Sequence, residues 1–183
     1  FTPAAADRPL FLLAPVLALV PALTTFLVIP FGPEVTIGGH TTELVVIDSD
    51  SGVLLFLALA SLGVYALVLA GYSSNNKYSL LGSIRASAQM VSYELALTTA
   101  VLCALLPAGS LNLVDVVETQ RAGLWQVLTQ PIACLVFAIA AFAETNRLPF
   151  DLAEAEAELV AGYHTEYSAF KFAMFFTAEY ANL

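Results

Sequence analysis

Apolar residues come in five long runs separated by shorter polar stretches. The runs are 10–29, 53–71, 86–106, 124–143 and 167–183. Each is close to the roughly 20 residues a helix needs to cross a bilayer. Pro15 and Pro21 lie inside the first run, where neighbouring helices can satisfy the carbonyls they free. The second run is nineteen residues without a charge, whereas the third is interrupted by Glu94. The pattern predicts an all-α, polytopic transmembrane bundle, a single membrane domain over 1–183. Smaller elements are expected outside the runs. The TIGG and HTTELVVID pieces predict a hairpin. A short helix is expected near Val114–Glu118 within the loop 107–123.

Composition agrees with this reading. Hydrophobic residues make up 59% of the chain, 11% is charged, and mean hydropathy is +0.82. These values exclude an ordinary soluble domain. A net charge of −9 argues against nucleic acid and against a polybasic lipid-binding face. The opening Phe1 and the lack of a signal-peptide pattern suggest that the native start lies upstream. Cys103 and Cys134 fall inside apolar runs and lack ligand spacing, so both are read as buried small hydrophobes. Neither His40 nor His164 sits in a metal-binding pattern, so no metal is expected. No GxSxG, GxGxxG or P-loop supports a hydrolase, dinucleotide or nucleotide reading.

The basic residues set an orientation. With the N-terminus on the cytoplasmic or matrix side, Arg8, Lys77, Arg85, Arg147 and Lys171 fall on or near that inner side. Only Arg121 falls outside, a strong positive-inside bias. The first outer loop, 30–52, carries Glu34, Glu43, Asp48 and Asp50 and no basic residue.

The most unusual stretch is 142–167, FAETNRLPFDLAEAEAELVAGYHTEY. It holds Glu144, Asp151, Glu154, Glu156, Glu158 and Glu166 among the fifteen acidic residues, interleaved with small and apolar side chains. A half-buried acidic surface of this kind can perturb carboxylate titration. Glu and Ala favour helix over strand, Asp151 and Glu154 have capping-box spacing, and Gly162 would end the helix. Asp151, Glu154 and Glu158 then share a face. The plain alternative is an acidic helix start in water. Lys77 and Arg85, in the inner loop GYSSNNKYSLLGSIRASAQ, could pair with this stretch or serve only as anchors.

Two carboxylates fall inside predicted spans. Glu94 is about 12 Å into the third and Glu179 about 18 Å into the fifth, at 1.5 Å per residue. Intramembrane carboxylates are most often ion or proton relays, with a structural hydrogen bond as the alternative.

Three long motifs then resemble one family. They are NNKYSLLGSIRASAQMVSYE, AETNRLPFDLAEAEAELVAGYHTEYS and FKFAMFFTAEYAN, and ADRPLFLLAPVLALVPA extends the likeness. The family is the quinone-chamber membrane subunit of respiratory complex I, and the chain resembles its middle portion. The resemblance implies a wall of the ubiquinone or menaquinone cavity and the start of a polar proton path. Asp151, Glu154, Glu156, Glu158 and Glu166 fall on the family's cavity-loop carboxylates. Arg147, Lys77 and Arg85 fall on its basic positions, and Glu94, Glu144 and Glu179 on its buried carboxylates. Tyr72 stands where many members have Trp. The resemblance further implies quinone as substrate, no redox centre on this chain, and FMN, iron–sulfur clusters and NADH in partner subunits. It places the chain among other membrane and peripheral-arm subunits, in a bacterial plasma membrane or mitochondrial inner membrane. The competing readings are a related subunit of an energy-converting hydrogenase, a self-contained ion transporter, and a structural anchor.

Overall fold

The computed structural model describes residues 2–32, 35–42, 44–145, 150 and 162–181. Its helices are α1 (Arg8–Thr25), α2 (Gly52–Ser73), α3 (Lys77–Ala108), α4 (Leu113–Ala122), α5 (Gln126–Thr129), α6 (Pro131–Glu144) and α7 (Phe170–Ala181). A 3-10 turn, Gly162–His164, precedes α7. A two-stranded hairpin, β1 (Val35–Ile37) and β2 (His40–Thr42), lies between α1 and α2.

Helices α1, α2 and α3 are long and apolar enough to cross a membrane. α1 packs on α2, α2 on α3, α3 on α6, and α7 on α1. Backbone contacts fix which ends lie together. Asp7 N–H donates to Ser73 O at 3.0 Å, joining the start of α1 to the end of α2. At the other end, Val53 N–H donates to Leu111 O at 3.0 Å and Gln126 Nε2 to Ala104 O at 2.8 Å. The first end carries Arg8, Lys77 and Lys171, while Arg121 lies on α4 at the other. The sequence asymmetry in basic residues is therefore an asymmetry between the two ends of the bundle.

The core is built around Phe11 and Ala14 of α1, Leu67 and Ala70 of α2, and Ala86 and Met90 of α3. Alanine, glycine and serine at these crossings let helix backbones approach, which apolar lipid alone would not drive. The opposite faces are apolar and open: Leu12, Val16, Val20 and Leu23 of α1 are all more than 40% exposed. A water-soluble domain would cover such a stripe; a bilayer solvates it. The chain is a helical membrane protein.

The hairpin forms as its sequence predicts. Gly38 and Gly39 have φ of +60° and +88°, as the primed two-residue turn requires, and Thr36 pairs with Thr41. α4 also forms, longer than predicted, with Asn112 Oδ1 accepting from Val114 N–H at 2.8 Å. Asn112 Nδ2 donates to Asp48 Oδ1 at 2.8 Å, tying the two loops at that end together.

Four expectations change. The third run begins at Lys77, not Ala86, so most of the polar inner loop is helix, begun by the Asn76 cap. Serines in 71–89 hid this because their hydroxyls satisfy carbonyls within the helix. The fourth run is broken at Gln130 and Pro131, since proline disfavours helix in the residue before it. α6 is then 14 residues, about 21 Å, shorter than the roughly 30 Å hydrocarbon layer. The fifth helix starts at Phe170, because Tyr167 is packed in the core and Ala169 has φ of +53°. Finally, Cys103 is half-buried and Cys134 exposed, so neither is the buried hydrophobe expected.

Candidate functional site: a carboxylate pair in the bundle above a polar inner pocket

α3 is the element on which the site is assembled. At 32 residues it is about 48 Å long. Glu94 lies seventeen residues beyond Lys77, about 26 Å from the inner end. That is deeper than a start at Ala86 implied, and near the middle of the helix. Its carboxylate accepts from the hydroxyl of Ser61 on α2. Glu144, the last residue of α6, faces the same region, and the two carboxylates interact electrostatically. Among the described residues, Glu144 Oε2 has no hydrogen-bond partner although it is buried.

Gln89 fixes this arrangement. It is buried on α3, and its Nε2 donates to Ala143 O at 3.2 Å and to Phe150 O at 2.7 Å. Tyr93 adds an edge contact to Phe150, with ring centroids 5.3 Å apart. The end of α6 is thus held level with Gln89, about 18 Å above Lys77. The acidic stretch therefore leaves α6 well inside the bundle.

The far end of that stretch is pinned lower on α3. Gly162 rests against Gly82, where an added Cβ on Gly82 would lie 2.7 Å from Gly162 Cα. Ser79 Oγ donates to Tyr163 O at 2.8 Å. Gly162, the first residue of the 3-10 turn, has φ of +60°, which glycine adopts without strain. Tyr167 stacks on Phe11 with centroids 4.0 Å apart, and its hydroxyl lies 3.2 Å from Ser73 Oγ. Glu166 Oε1 accepts from Asn76 Nδ2 at 2.8 Å. Glu166, Asn76, Lys77 and Tyr72 line one inner pocket of about 620 Å³.

Of the predicted residues, Lys77 and Glu166 come together at this pocket. Glu166 is held there by the Asn76 amide, and Lys77 Nζ lies 6.0 Å from the centre of the Tyr78 ring. Arg85 is half-buried on α3, eight residues beyond Lys77. Glu94 and Glu144 also come together. Glu179 lies on α7, which packs on α1. With α7 starting at Phe170, Glu179 is about 14 Å into its helix instead of 18 Å. Arg147, Asp151, Glu154, Glu156 and Glu158, with the capping box, lie outside the described residues.

Ser61, Gln89, Asn76 and Ser79 were missed in the sequence. Ser61 is the one serine in the charge-free apolar run 53–71, and nothing along that run marks it. Asn76 and Ser79 are ordinary helix-start residues, and Gln89 an ordinary mid-helix amide, until a partner is placed beside them.

Asn76 does two jobs, since its Oδ1 caps α3 and its Nδ2 holds Glu166. Asn76→Ala should cost about 1 kcal/mol through the lost cap. Asn76→Asp should keep the cap yet release Glu166 by placing one carboxylate against another. Thermal unfolding of the assembled protein, compared for the two variants, measures the difference.

The fold and site define a class: a polytopic helical membrane protein with two electrostatically interacting carboxylates inside the bundle and, at one end, a pocket lined in part by Glu166, Asn76 and Lys77. The chain matches the NADH dehydrogenase family model over residues 1–183, and it belongs to that family. It is 54% identical to an NADH-quinone oxidoreductase subunit of Solibacter usitatus, over 97% of this chain and 46% of that protein. It is 52% identical to an NADH-quinone oxidoreductase subunit of Geobacter sulfurreducens, over 100% of this chain and 55% of that protein. It is 56% identical to NADH-quinone oxidoreductase subunit 8 of Rhodothermus marinus, over 99% of this chain and 52% of that protein. The chain spans about half the length of the curated relatives it matches.

Proposed function

We propose that this chain is part of a membrane subunit of a proton-pumping NADH:quinone oxidoreductase, where it lines the quinone cavity and couples quinone reduction to proton movement. The observation that carries this reading is Glu94 at mid-length of α3, hydrogen-bonded to Ser61 and interacting electrostatically with Glu144 of α6, on the helix whose first residue also lines the inner pocket. The names of the relatives favour it over the hydrogenase reading.

The chain supplies electrostatics and proton sites. NADH, FMN and the iron–sulfur clusters belong to partner subunits of a peripheral arm, and quinone is the substrate. Lys77, Arg85, Arg147, Asp151, Glu154, Glu156, Glu158 and Glu166 form the cavity surface on the cytoplasmic or matrix side. Quinone reduction takes up protons and transiently leaves negative charge. Neighbouring carboxylates respond as a coupled set, because ionising one disfavours ionising the next. The disturbance passes up α3 to Glu144 and Glu94, with Glu179 a further member of the path. The hydrogen bonds from Asn76 to Glu166 and from Gln89 to Phe150 give that coupling fixed anchors.

The test is the rate of quinone-coupled proton translocation in the assembled complex carrying Glu94→Gln or Glu158→Gln. Each should lower it about tenfold or more, as positioned proton-transfer groups contribute roughly 10²–10⁴-fold. Wild-type rates in both variants, fully assembled, would reject the mechanism.

A further inference from the structure

Ser61 presents one hydroxyl to two acceptors. It sits in the middle of α2, half-buried, with no charged residue in its own helix. Its Oγ is 3.0 Å from Leu57 O, one turn back on the same helix. The same oxygen is hydrogen-bonded to Glu94 Oε1 of α3. A serine hydroxyl has one proton and two lone pairs, so it donates to only one of these at a time. A serine in an apolar helix commonly bonds back to the carbonyl four residues earlier, and that alone would be unremarkable. The second acceptor, a carboxylate on the adjoining helix, is what changes its meaning.

We infer that Ser61 is a positioning residue for Glu94, a hydroxyl rotor that satisfies the carboxylate in both of its protonation states. When Glu94 is ionised, Ser61 O–H points to Oε1 and Leu57 O keeps its ordinary helical bond. When a proton arrives on Oε1, Glu94 becomes the donor and Ser61 Oγ the acceptor. The serine proton then turns to Leu57 O. No covalent bond of Ser61 breaks, and it keeps its own proton throughout. The arriving proton stays on Glu94 until it moves on. Each state has a full set of partners with no movement of either helix.

That matters because of where Glu94 lies. A buried group that loses its partner on changing charge bears most of the desolvation cost of that group. In a low-dielectric interior the cost would trap Glu94 in one state and stall a relay. A rotor removes that asymmetry. Gln89, nearer the inner end of α3, cannot serve in the same way, since its amide is engaged with Ala143 O and Phe150 O.

This assignment rests on the proton-path reading of Glu94, so the two are tested together. The measurements are the rate of quinone-coupled proton translocation and the infrared carbonyl band of protonated Glu94, in the full-length chain within its assembled, membrane-embedded complex. Glu94→Gln identifies the band by its disappearance. Ser61→Ala should slow coupled translocation roughly tenfold, the scale of one lost hydrogen bond to a charged group. It should also move the Glu94 band to higher wavenumber, as for an acid that has lost a partner. Ser61→Thr, which keeps the hydroxyl, should restore both. If Glu94→Gln pumps normally, the function proposed for Glu94 is wrong. If Glu94→Gln is defective but Ser61→Ala leaves band and translocation unchanged, the rotor alone is wrong. A defect in Ser61→Ala that Thr fails to relieve, with the band unmoved, marks Ser61 as packing and equally overturns it.

Discussion

Gly82→Ala should destabilise the protein by about 3 kcal/mol, at the upper end of overpacking costs, and uncouple the inner pocket from α3. The new Cβ would lie 2.7 Å from Gly162 Cα, 2.9 Å from its carbonyl carbon and 3.0 Å from Tyr163 N. All three are backbone atoms, so no side chain can swing aside. Gly162 cannot adjust freely either, because its φ of +60° is already one that only glycine adopts without strain. The turn must therefore move away from α3. That movement breaks the bond from Ser79 Oγ to Tyr163 O and shifts Glu166 away from Asn76. A lowered unfolding temperature of the assembled complex is the expected result, together with a raised KM for quinone on the function proposed above. An unchanged KM at wild-type stability would mean that the close approach is not needed. Gly71→Ala is a useful comparison. There the added carbon would run into the Ser83 side chain and lie 2.7 Å from Ser79 O. Its effect should fall mainly on stability, since it separates α2 from α3 and leaves the 3-10 turn in place.

The second large effect is expected at Tyr167. Its ring stacks on Phe11 at 4.0 Å, takes the edge of Phe175 at 5.0 Å, and its hydroxyl lies 3.2 Å from Ser73 Oγ. One side chain therefore joins α1, α2 and α7 at the inner end. Tyr167→Ala should cost about 3–5 kcal/mol, the usual range for emptying a buried aromatic site. Tyr167→Phe keeps the ring and should cost only about 1 kcal/mol, for one hydrogen bond. Because Glu166 is the adjacent residue, the alanine variant should also loosen the pocket and, on the function proposed above, weaken quinone binding. Chemical unfolding of the detergent-solubilised complex separates the two variants. Equal losses in both would assign the stability to the hydroxyl and remove the ring stack from the account.

How much of this was legible beforehand differs from one element to the next. The hairpin was, because Gly38 and Gly39 permit the turn that few other residue pairs allow. The start of α3 was not. Residues 71–89 carry serines and asparagines that read as loop, yet in place those hydroxyls bond within the helix or to a neighbouring chain segment. The break at Pro131 was signalled by the proline and by Thr129 and Gln130 before it, but the apolar residues that flank them on both sides concealed it. Glu94 was conspicuous as a charge in an apolar run. Ser61 was not, since a hydroxyl becomes informative only when a carboxylate from another helix is placed against it.

The chain by itself determined that it lives in a membrane, which end carries positive charge, and which carboxylates are out of place in lipid. These follow from local quantities: hydropathy summed over a span, charge per loop, and the cost of an ion in hydrocarbon. Tertiary structure alone decided that Glu94 meets Ser61 and Glu144, that Gln89 holds the end of α6 deep in the bundle, and that Glu179 lies on a helix packed elsewhere. Those pairings depend on helix rotation and register, which small residues such as Gly71, Gly82 and Ala86 set by how closely they let backbones approach. No periodicity along one helix records which face its neighbour will turn toward it.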